Sequence, residues 1–343
     1  MPRLGAPAVA KRPALSSRML VGALVVSVIA LAAGSLGVGV ASFDVAQTVL
    51  QWWQGEATVA TLVLMELRVP RTLLAILVGG SLGLAGAALQ GLLRNPLAEP
   101  GILGVSSCAA LGAVIAFYSG VSVMAPLALP LAGIAGALIA VLLLYALAGR
   151  EASTLTLILA GVAINGFAAA ATALALNLSP NPFAVTEIVF WMMGSLADRS
   201  TAHLQLAAPL ILIGCALLLT SGRMLDALTL GEDTASSLGV RLGRQRRLLV
   251  LGTALAVGSG VAVTGAVGFV GLVAPHLMRP WVGNQPSRLL IVSALTGAVL
   301  VLAADIAIRF ITIGPELKLG VVTALIGAPF FLVLVMRLRR QTI

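Results

Sequence analysis

Eight long stretches of the chain contain no Asp, Glu, Lys or Arg. A helix needs about 20 residues to cross a bilayer, and soluble domains do not sustain such stretches repeatedly. The composition agrees, because 59% of the residues are apolar and only 10% are charged. The sequence therefore predicts an all-α polytopic membrane protein and excludes a soluble enzyme. The eight stretches are residues 19–43, 72–93, 100–149, 152–186, 200–222, 248–278, 289–304 and 319–336.

Two of the eight stretches are long enough to hold two helices each. Residues 100–149 are broken around Ser119-Gly120 and Pro126, and residues 248–278 divide at the glycine-rich part between Gly260 and Gly271. We therefore predict about ten transmembrane helices. The predicted organisation is an N-terminal tail (1–18), a ten-helix transmembrane domain (19–337) and a C-terminal tail (338–343).

The basic residues predict the orientation of these helices. An even number of spans places both termini on one side, and loops on the cytoplasmic side are enriched in Lys and Arg. With cytoplasmic termini, 16 of the 21 basic residues fall inside. We interpret the net charge of +9 as this topology signal and not as a sign of nucleic-acid binding. The five basic residues expected outside are Arg68, Arg71, Arg199, Arg309 and Lys318.

The second predicted helix carries small residues four positions apart. These are Gly79, Gly83, Ala87 and Gly91, which leave one face of the helix almost without side chains. Small residues at this spacing let a second membrane helix approach closely. We therefore expect helix packing here and no ligand role.

A polar segment, LDALTLGEDTASSLGVRLGRQRR, separates the sixth and seventh predicted spans on the cytoplasmic side. Thr229 and Glu232 form a capping-box pattern, and Gly239 is a typical helix end. The segment therefore predicts a helix of two to three turns, too short to span. A solvated loop and a docking surface for a soluble partner both fit the residues, which favour docking only slightly.

The remaining reactive side chains favour structural roles. Asp305 and Arg309 are spaced for a pair within one helix, which we favour over a proton relay at Asp305. The lone histidines, His203 and His276, are typical of surface or capping residues. Cys108 and Cys215 lie in apolar stretches without a CxxC motif, so we expect neither a metal site nor catalytic residues.

The sequence has no motif for binding ATP by itself. A P-loop needs the pattern GxxxxGK[ST], and the only lysines, Lys11 and Lys318, lie outside glycine-rich loops. The chain is therefore not expected to be an enzyme or to bind a cofactor. Any use of ATP must come from another polypeptide.

Five sequence blocks in order resemble one known family. The segment RVPRTLLAILVGGSLGLAGAALQGLLRNPLAEPGILGVSSCAALGA, residues 68–112, resembles the FecCD-type permeases of ABC importers for iron chelates and cobalamin. The later segments LGEDTASSLGV, GFVGLVAPHLMR, ADIAIR and ELKLGVVTALIGAPFF look like further family blocks, and together they cover the chain from about residue 66 onward. The resemblance implies the type II ABC importer permease fold, with ten transmembrane helices per subunit.

The resemblance also implies partners and a location. It predicts a homodimer in the bacterial cytoplasmic (inner) membrane, surrounded by lipid and without nucleic acid, with the translocation path at the dimer axis. Two cytoplasmic ATPase subunits would use ATP and Mg, and a periplasmic or lipid-anchored substrate-binding protein would deliver the cargo. Transport would proceed by alternating access.

By resemblance, several residues receive roles. Arg68, Arg71 and Arg309 match arginines that pair with acidic residues of the binding protein. Residues 223–247 would form the coupling segment for the ATPase. Its docking residues would be Leu230, Gly231, Glu232, Ala235, Leu238 and Gly239. Arg94-Asn95-Pro96 and a turn at Pro275-His276 are expected to shape the inner gate or its cytoplasmic rim.

The cargo stays open at this level. The family carries ferric siderophores, haem and cobalamin, and we expect an iron chelate, with cobalamin as the alternative. From another class, an ion-gradient-driven secondary transporter would need intramembrane carboxylates, for which only Asp305 is a candidate. A channel is disfavoured because the sequence has no filter-like loop.

Overall fold

The structure, a computed structural model, describes residues 17–39, 41–125, 127–149, 153–179, 182–311 and 316–341. Throughout these ranges the only regular secondary structure is helical. Residues 1–16 of the predicted N-terminal tail, residues 342–343 of the predicted C-terminal tail and Arg150 lie outside the described residues, whereas residues 338–341 of the predicted C-terminal tail continue the last helix. The α-helices are α1 (Ser17–Gly37), α2 (Val45–Trp53), α3 (Val59–Leu62), α4 (Val69–Leu92), α5 (Val105–Tyr118), α6 (Val121–Met124), α7 (Ala128–Ala148), α8 (Thr154–Asn177), α9 (Pro182–Met192), α10 (Thr201–Leu219), α11 (Gly222–Leu228), α12 (Glu232–Ser237), α13 (Leu242–Thr253), α14 (Ser259–Thr264), α15 (Val270–Met278), α16 (Pro286–Ile311) and α17 (Leu319–Gln341).

Short segments of other helix types join several of these elements. Two π-helical segments, Val63–Arg68 and Ala254–Gly258, connect α3 to α4 and α13 to α14 without a break in the chain direction. Two 3-10 turns, Pro100–Leu103 and Arg279–Trp281, follow α4 and α15. The π segments therefore turn the short α3 and α14 into parts of longer continuous spans.

Within the described residues, seven helical spans are long and apolar enough to cross a membrane. Three shorter apolar helices, Val105–Tyr118, Pro182–Met192 and Leu319–Leu334, accompany them. The long spans are Arg18–Gly37, Val59–Leu92, Ala128–Ala148, Thr154–Asn177, Thr201–Leu228, Leu242–Thr264 and Pro286–Ile311.

The predicted third and tenth spans are among the shorter apolar helices, and two further places differ more strongly from the prediction. The expected eighth span is α15, which has nine residues and is too short to cross a bilayer. Gly265 and Phe269 both have positive φ, so the backbone turns between α14 and α15. The short helix α9 was not predicted, because it lies at the end of the charge-free stretch that also contains α8. A stretch without charges shows where a helix can lie in lipid but not where it ends.

The centre of the bundle is the antiparallel pair α4 and α16. A Cβ atom added at Gly79 would overlap the carbonyl oxygen of Gly297, and one added at Gly83 would overlap that of Ser293. Gly86 approaches the backbone of Gly271 in α15 in the same way. The backbones therefore touch, and a larger side chain at these positions would force the helices apart.

The rest of the small-residue face of α4 packs differently. Ala87 is buried, and Gly91 faces the side chain of Leu225 in α11. The peripheral helices expose large apolar side chains instead, among them Leu142, Leu159 and Phe167. Such surfaces are compatible with lipid or with another subunit and not with water.

Candidate functional sites at the two ends of the bundle

The polar residues of interest gather at opposite ends of α4. Arg71 at the start of α4 meets Asp305 near the end of α16. At the other end, Gly91 meets Leu225, seven residues before α12 begins. A helix of 24 residues such as α4 is about 36 Å long. We call the first region, with Arg68, Arg71, Arg199 and Arg309, the arginine end, and the second the α12 end.

A buried ion cluster joins α4 and α16 at the arginine end. The guanidinium of Arg71 binds the carboxylate of Asp305 through two nitrogens, with Nη2 2.8 Å and Nε 3.0 Å from Oδ1. Arg71 also binds Glu316, and Arg309 binds the second oxygen of Asp305. The side chain of Asp305 is only 1% exposed, whereas that of Glu316 is 30% exposed. The pair of Asp305 and Arg309 expected from spacing is therefore part of a larger cluster.

The same cluster holds the end of α1. Arg309 donates from Nη1 to the carbonyl oxygens of Ser35 (2.8 Å) and Val38 (2.9 Å), and from Nη2 to the hydroxyl of Ser35. That hydroxyl is also 2.8 Å from the hydroxyl of Thr72 in α4. The last carbonyls of a helix have no partner within the helix and carry partial negative charge. A buried arginine is well suited to bind them.

Arg68 binds the end of α1 and the chain just beyond it. Its Nη1 donates to the carbonyl oxygen of Leu36 at 2.7 Å, and its Nη2 donates to that of Ala41. The guanidinium also lies 4.2 Å from the centre of the Phe43 ring, which adds a cation–π contact. All three arginines that the resemblance assigns to binding-protein docking are thus already bound to oxygen atoms of their own chain. Their docking role stays a prediction.

A cavity of about 410 Å³ opens at the arginine end. Its wall includes all four arginines of that end together with Asp198 and Glu316. The cavity is therefore basic, and Arg71 and Arg309 are fixed in place by Asp305.

The α12 end is built around Glu232. Its Oε1 atom is 2.6 Å from Nη2 of Arg246 in α13 and 3.4 Å from the hydroxyl of Thr154 at the start of α8. The hydrogen bond from Arg246 is the main reason that the pKa of Glu232 lies below its usual range. Glu232 therefore connects α12 to two other helices.

The short helix α12 begins differently from the sequence expectation. The predicted capping box of Thr229 and Glu232 is wrong, because the residue before α12 is Gly231, with a φ of 102° and no side-chain cap. The hydroxyl of Thr229 instead donates to the carbonyl oxygen of Asp226 at the end of α11. Thr229 is thus the residue that follows an additional helix, α11, and not the residue that begins α12.

The surface of α12 has exposed leucines at both ends. Leu230 is 64% exposed and Leu238 is 63% exposed, while Ala235 between them is fully buried. Gly239, with a φ of 81°, ends the helix, and the N–H of Val240 donates back to the carbonyl oxygen of Ala235. Two apolar side chains are therefore exposed at the two ends of α12, while the buried Ala235 packs the helix against the rest of the protein.

The two proposed rim segments lie near the same end. Arg94 is exposed and has a φ of 47°. The side-chain oxygen of Asn95 accepts a hydrogen bond from the N–H of Leu97, which closes a tight turn around the half-buried Pro96. His276 packs edge-on against Phe330 of α17, with ring centres 5.6 Å apart. The first segment follows the end of α4, and the second lies inside α15.

The expected turn at Pro275-His276 is wrong, because both residues lie inside α15, which ends at Met278. Proline cannot donate to the carbonyl four residues earlier, here that of Gly271. Gln90 of α4 donates to this carbonyl instead, at 3.4 Å, and accepts a hydrogen bond of 2.6 Å from Arg279. A residue from another helix thus supplies the missing donor, and no turn is needed.

Sequence reasoning missed Gln90, Arg246, Thr154 and Ser35. A polar residue inside an otherwise apolar span, such as Gln90, is itself a signal of an interhelical contact. Arg246 was counted only as a topology charge, and nothing in the local sequence of Thr154 or Ser35 indicates their distant partners. His203, in contrast, has the capping role expected of it, since its Nδ1 accepts from the N–H of Ser200.

The helical bundle, its close-packed central pair and its two polar ends define a polytopic membrane transport protein. A family model described as the FecCD transport family matches residues 23–337, and the chain belongs to this family. It is an ABC importer permease and not an enzyme.

Two relatives and one solved structure show the breadth of this similarity. The Hemin transport system permease protein HmuU of Yersinia pestis is 35% identical over 94% of this chain and 97% of its own. The Cobalamin import system permease protein BtuC of Halobacterium salinarum is 40% identical over 82% of this chain and 75% of its own. A solved structure, described as an inward-facing conformation of a putative metal-chelate type ABC transporter, has a TM-score of 0.81 and 33% identity, covering 94% of this chain and 99% of its own.

Proposed function

We propose that this chain is the membrane subunit of an ATP-driven importer that moves an iron chelate, a ferric siderophore or haem, into the cytoplasm by alternating access. The observation that supports this most strongly is similarity over nearly the whole chain to a hemin permease and to a metal-chelate type transporter. The similarity covers both polar ends as well as the helices between them. The importer would contain two copies of this chain.

The α12 end would face the cytoplasm and bind the ATPase. Leu230 and Leu238 are exposed there, and Ala235 and Glu232 fix the helix that carries them. Exposed apolar side chains on a rigidly held helix are suited to insertion in a groove of a partner. ATP and Mg would be used by that partner, and both termini would lie on the same side.

The arginine end would face outward and receive the substrate-binding protein. The excess of basic residues in the α12 end and the termini favours this orientation. Glu316 and Arg71 line the 410 Å³ cavity with side chains that are 30% and 15% exposed, so their charges are partly accessible to an approaching protein. Interactions between such charges act mainly on encounter and orientation and weaken with salt.

Two alternative functions differ from this one in the cargo or in the source of energy. A cobalamin importer is the nearer alternative, because a cobalamin permease shares 40% identity over most of the chain. An ion-gradient-driven transporter is less well supported, because both oxygens of Asp305, its candidate carboxylate, bind arginines that join helices. The residues therefore favour a structural role for this carboxylate.

Reconstitution with the partner subunits tests the proposal. The chain would be assembled in liposomes with its cognate ATPase and binding protein, and a ferric siderophore, haem and cobalamin would be tested separately for uptake. We expect binding-protein-dependent uptake of one iron chelate that stops when ATP is absent. Uptake of cobalamin alone would show that the cargo is cobalamin and not an iron chelate. Uptake that follows an ion gradient without ATP would contradict the mechanism.

A further inference from the structure

The short helix α2 turns its apolar side away from the protein. Of its polar residues, Thr48 is 2% exposed and Gln51 is half-buried, so both lie toward the rest of the chain. The large apolar side chains that α2 exposes are Val49, Leu50, Trp52 and Trp53, and Trp53 is 81% exposed. A helix on a water-facing surface has the reverse arrangement, with its polar side outward. The apolar side of α2 therefore fits a nonpolar environment outside this chain.

The start of α2 is placed relative to the membrane by Arg68. The span Arg18–Gly37 has 20 residues and is about 30 Å long, which equals the thickness of the hydrocarbon core. Its end therefore marks the boundary of the core, and Arg68 donates to the carbonyl oxygen of Leu36 at this end. The centre of the Phe43 ring, two residues before α2 begins, lies 4.2 Å from the guanidinium carbon of Arg68. The helix α2 therefore begins at the level of this boundary.

The other end of α2 lies close to the same level. Trp52 lines a pocket of about 260 Å³ together with Met65 and Glu66, which precede Arg68 by three and two residues. At about 1.5 Å per residue, these positions are only about 3–5 Å from the level of Arg68. A helix of nine residues is about 14 Å long, so α2 runs along the boundary and not away from it. The headgroup layer, roughly 5–7 Å thick on each side of the core, lies at this level.

Two further features indicate lipid as the neighbour of this face. Trp52 shares its pocket with the exposed Leu62 of α3, so the apolar surface of α2 continues onto a membrane-spanning segment. Tryptophan is also a residue type that is enriched at the boundary between lipid and water. The helix itself has no charged residue, and three acidic residues, Asp44, Glu56 and Glu66, lie beside it. The contact is therefore apolar and gains nothing from anionic headgroups.

We propose that α2 is an interfacial helix that inserts Leu50, Trp52 and Trp53 between the headgroups and the acyl chains of the bilayer. Its partner is the lipid surface itself, and zwitterionic headgroups suffice. The attachment is driven by the removal of these side chains from water, and its strength grows with the apolar area buried. Only the choice of the outer leaflet rests on the proposed function, since the attachment follows from the level and the exposure of α2.

Fluorescence of Trp53 in lipid tests the attachment. The purified full-length chain would be reconstituted in phosphatidylcholine vesicles with Trp53 as its only tryptophan, the three others being changed to Phe. The matched control also carries Trp53→Phe and Gln47→Trp, because Gln47 is exposed on α2 but lies about 120° around the helix from Trp53. Phosphatidylcholine brominated near the headgroup end of its acyl chains is the quencher in the lipid, and iodide is the quencher in the water. We expect brominated lipid to quench Trp53 more strongly than the control, and iodide to show the reverse order.

The possible occupants of this face give different results. Equal quenching of Trp53 and of the control by brominated lipid would overturn the proposal. A change in Trp53 emission only after the binding protein is added, without quenching by brominated lipid, would also overturn it and would assign the face to that protein. Added phosphatidylglycerol should leave the lipid quenching unchanged, and quenching that needs this anionic lipid would contradict an apolar attachment. The measurement needs no ATPase, so failure of the importer to take up cargo would count against the proposed function alone.

A spin label provides a second measurement if the chain with a single tryptophan does not assemble. In a chain with Cys108 and Cys215 changed to Ala, a nitroxide would be attached at Trp53→Cys or, as the control, at Gln47→Cys. Oxygen concentrates in lipid and a nickel chelate stays in water, so the ratio of their collision rates with the nitroxide measures its depth. We expect a higher ratio of oxygen to nickel collisions at Trp53→Cys than at Gln47→Cys. Equal ratios at the two positions would overturn the proposal.

Discussion

The two polar ends of the bundle use charge in opposite ways. At the arginine end, Asp305 is buried between Arg71 and Arg309, and the arginines hold α1, α4 and α16 together. At the α12 end, the ion pair between Glu232 and Arg246 fixes a short helix whose leucines stay exposed. The first arrangement joins helices of the bundle, and the second fixes a short helix with exposed apolar side chains, which we propose as the surface for the ATPase. Charged residues with similar sequence patterns therefore have different structural roles at the two ends.

The largest effect is expected from Asp305→Asn. This change leaves Arg71 and Arg309 without their shared buried carboxylate, and breaking a buried pair in this way typically costs about 3–5 kcal/mol. We expect a clear fall in the free energy of unfolding, measured by denaturant titration in detergent. Glu316→Gln is the matched control, because Glu316 is 30% exposed and should cost much less. Equal losses in both variants would contradict the difference between buried and exposed carboxylates.

The second effect concerns the attachment of α1. Arg309→Gln removes the donors to the carbonyls of Ser35 and Val38, and it leaves Asp305 paired with Arg71 alone. We expect faster proteolysis in the segment after α1 and a loss of stability smaller than that of Asp305→Asn. Arg223→Gln, at an exposed position near the other end, is the control. An unchanged cleavage rate after Gly37 would show that Arg309 does not anchor α1.

A smaller effect on stability is expected from Glu232→Gln. The carboxylate is 38% exposed, and ion pairs of this kind contribute roughly 0.2–1 kcal/mol. The variant should keep the fold but lose most of the coupling between ATP hydrolysis and uptake, since α12 is no longer held to α13 and α8. Asp233→Asn, an exposed neighbour, serves as control. Normal coupling in Glu232→Gln would contradict the role given to the pair.

The same pair predicts a pH dependence. The pKa of Glu232 in the folded chain is lowered, so its contribution is fully present above the ordinary pKa of a glutamate and is lost as the pH falls through the lowered value. Association of the ATPase with the permease should therefore be unaffected in mildly acidic buffer and weaken only as the pH falls below the ordinary pKa of a glutamate, and Glu232→Gln should remove this part of the pH dependence. An identical pH profile in the variant would assign the dependence to other groups.

The smallest effect on stability is expected from Leu230→Ala and Leu238→Ala. Both leucines are mostly exposed, so the free energy of unfolding should change by no more than about 0.5 kcal/mol. Affinity for the ATPase should nevertheless fall, which would be measured by co-purification at several concentrations. Leu142→Ala, another exposed leucine on α7, is the control. A loss of affinity in the control alone would place the docking surface elsewhere.

Much of the architecture could be predicted, because membrane helices can be recognised from the local composition of the sequence. The charge-free stretches located the long spans, and Gly79 and Gly83 indicated the close approach that α4 makes to α16. The ends of helices were harder, since α15 is shortened by two residues with positive φ that no apolar pattern reveals. Local patterns also misplaced the cap of α12, because α11 extends to the residue expected as the cap.

The partners of the site residues could be predicted only where they lie in one helix. The pairing of Asp305 with Arg309 followed from their spacing, but Arg71 and Glu316 come from distant parts of the chain. Donors to the carbonyls of α1 are equally remote in sequence. The missing information is tertiary, because a single sequence does not state which helices are neighbours.

The most direct test of the account is a cross-link between the permease and its ATPase. Cys108 and Cys215 would first be changed to Ala. A new cysteine would then be placed either at Ser236 in α12 or at Leu317, beside Glu316 at the arginine end. The assembled importer would be treated with a short bifunctional reagent. The account predicts that Ser236→Cys joins the ATPase and that Leu317→Cys does not. A cross-link from the arginine end to the ATPase, with none from α12, would contradict it.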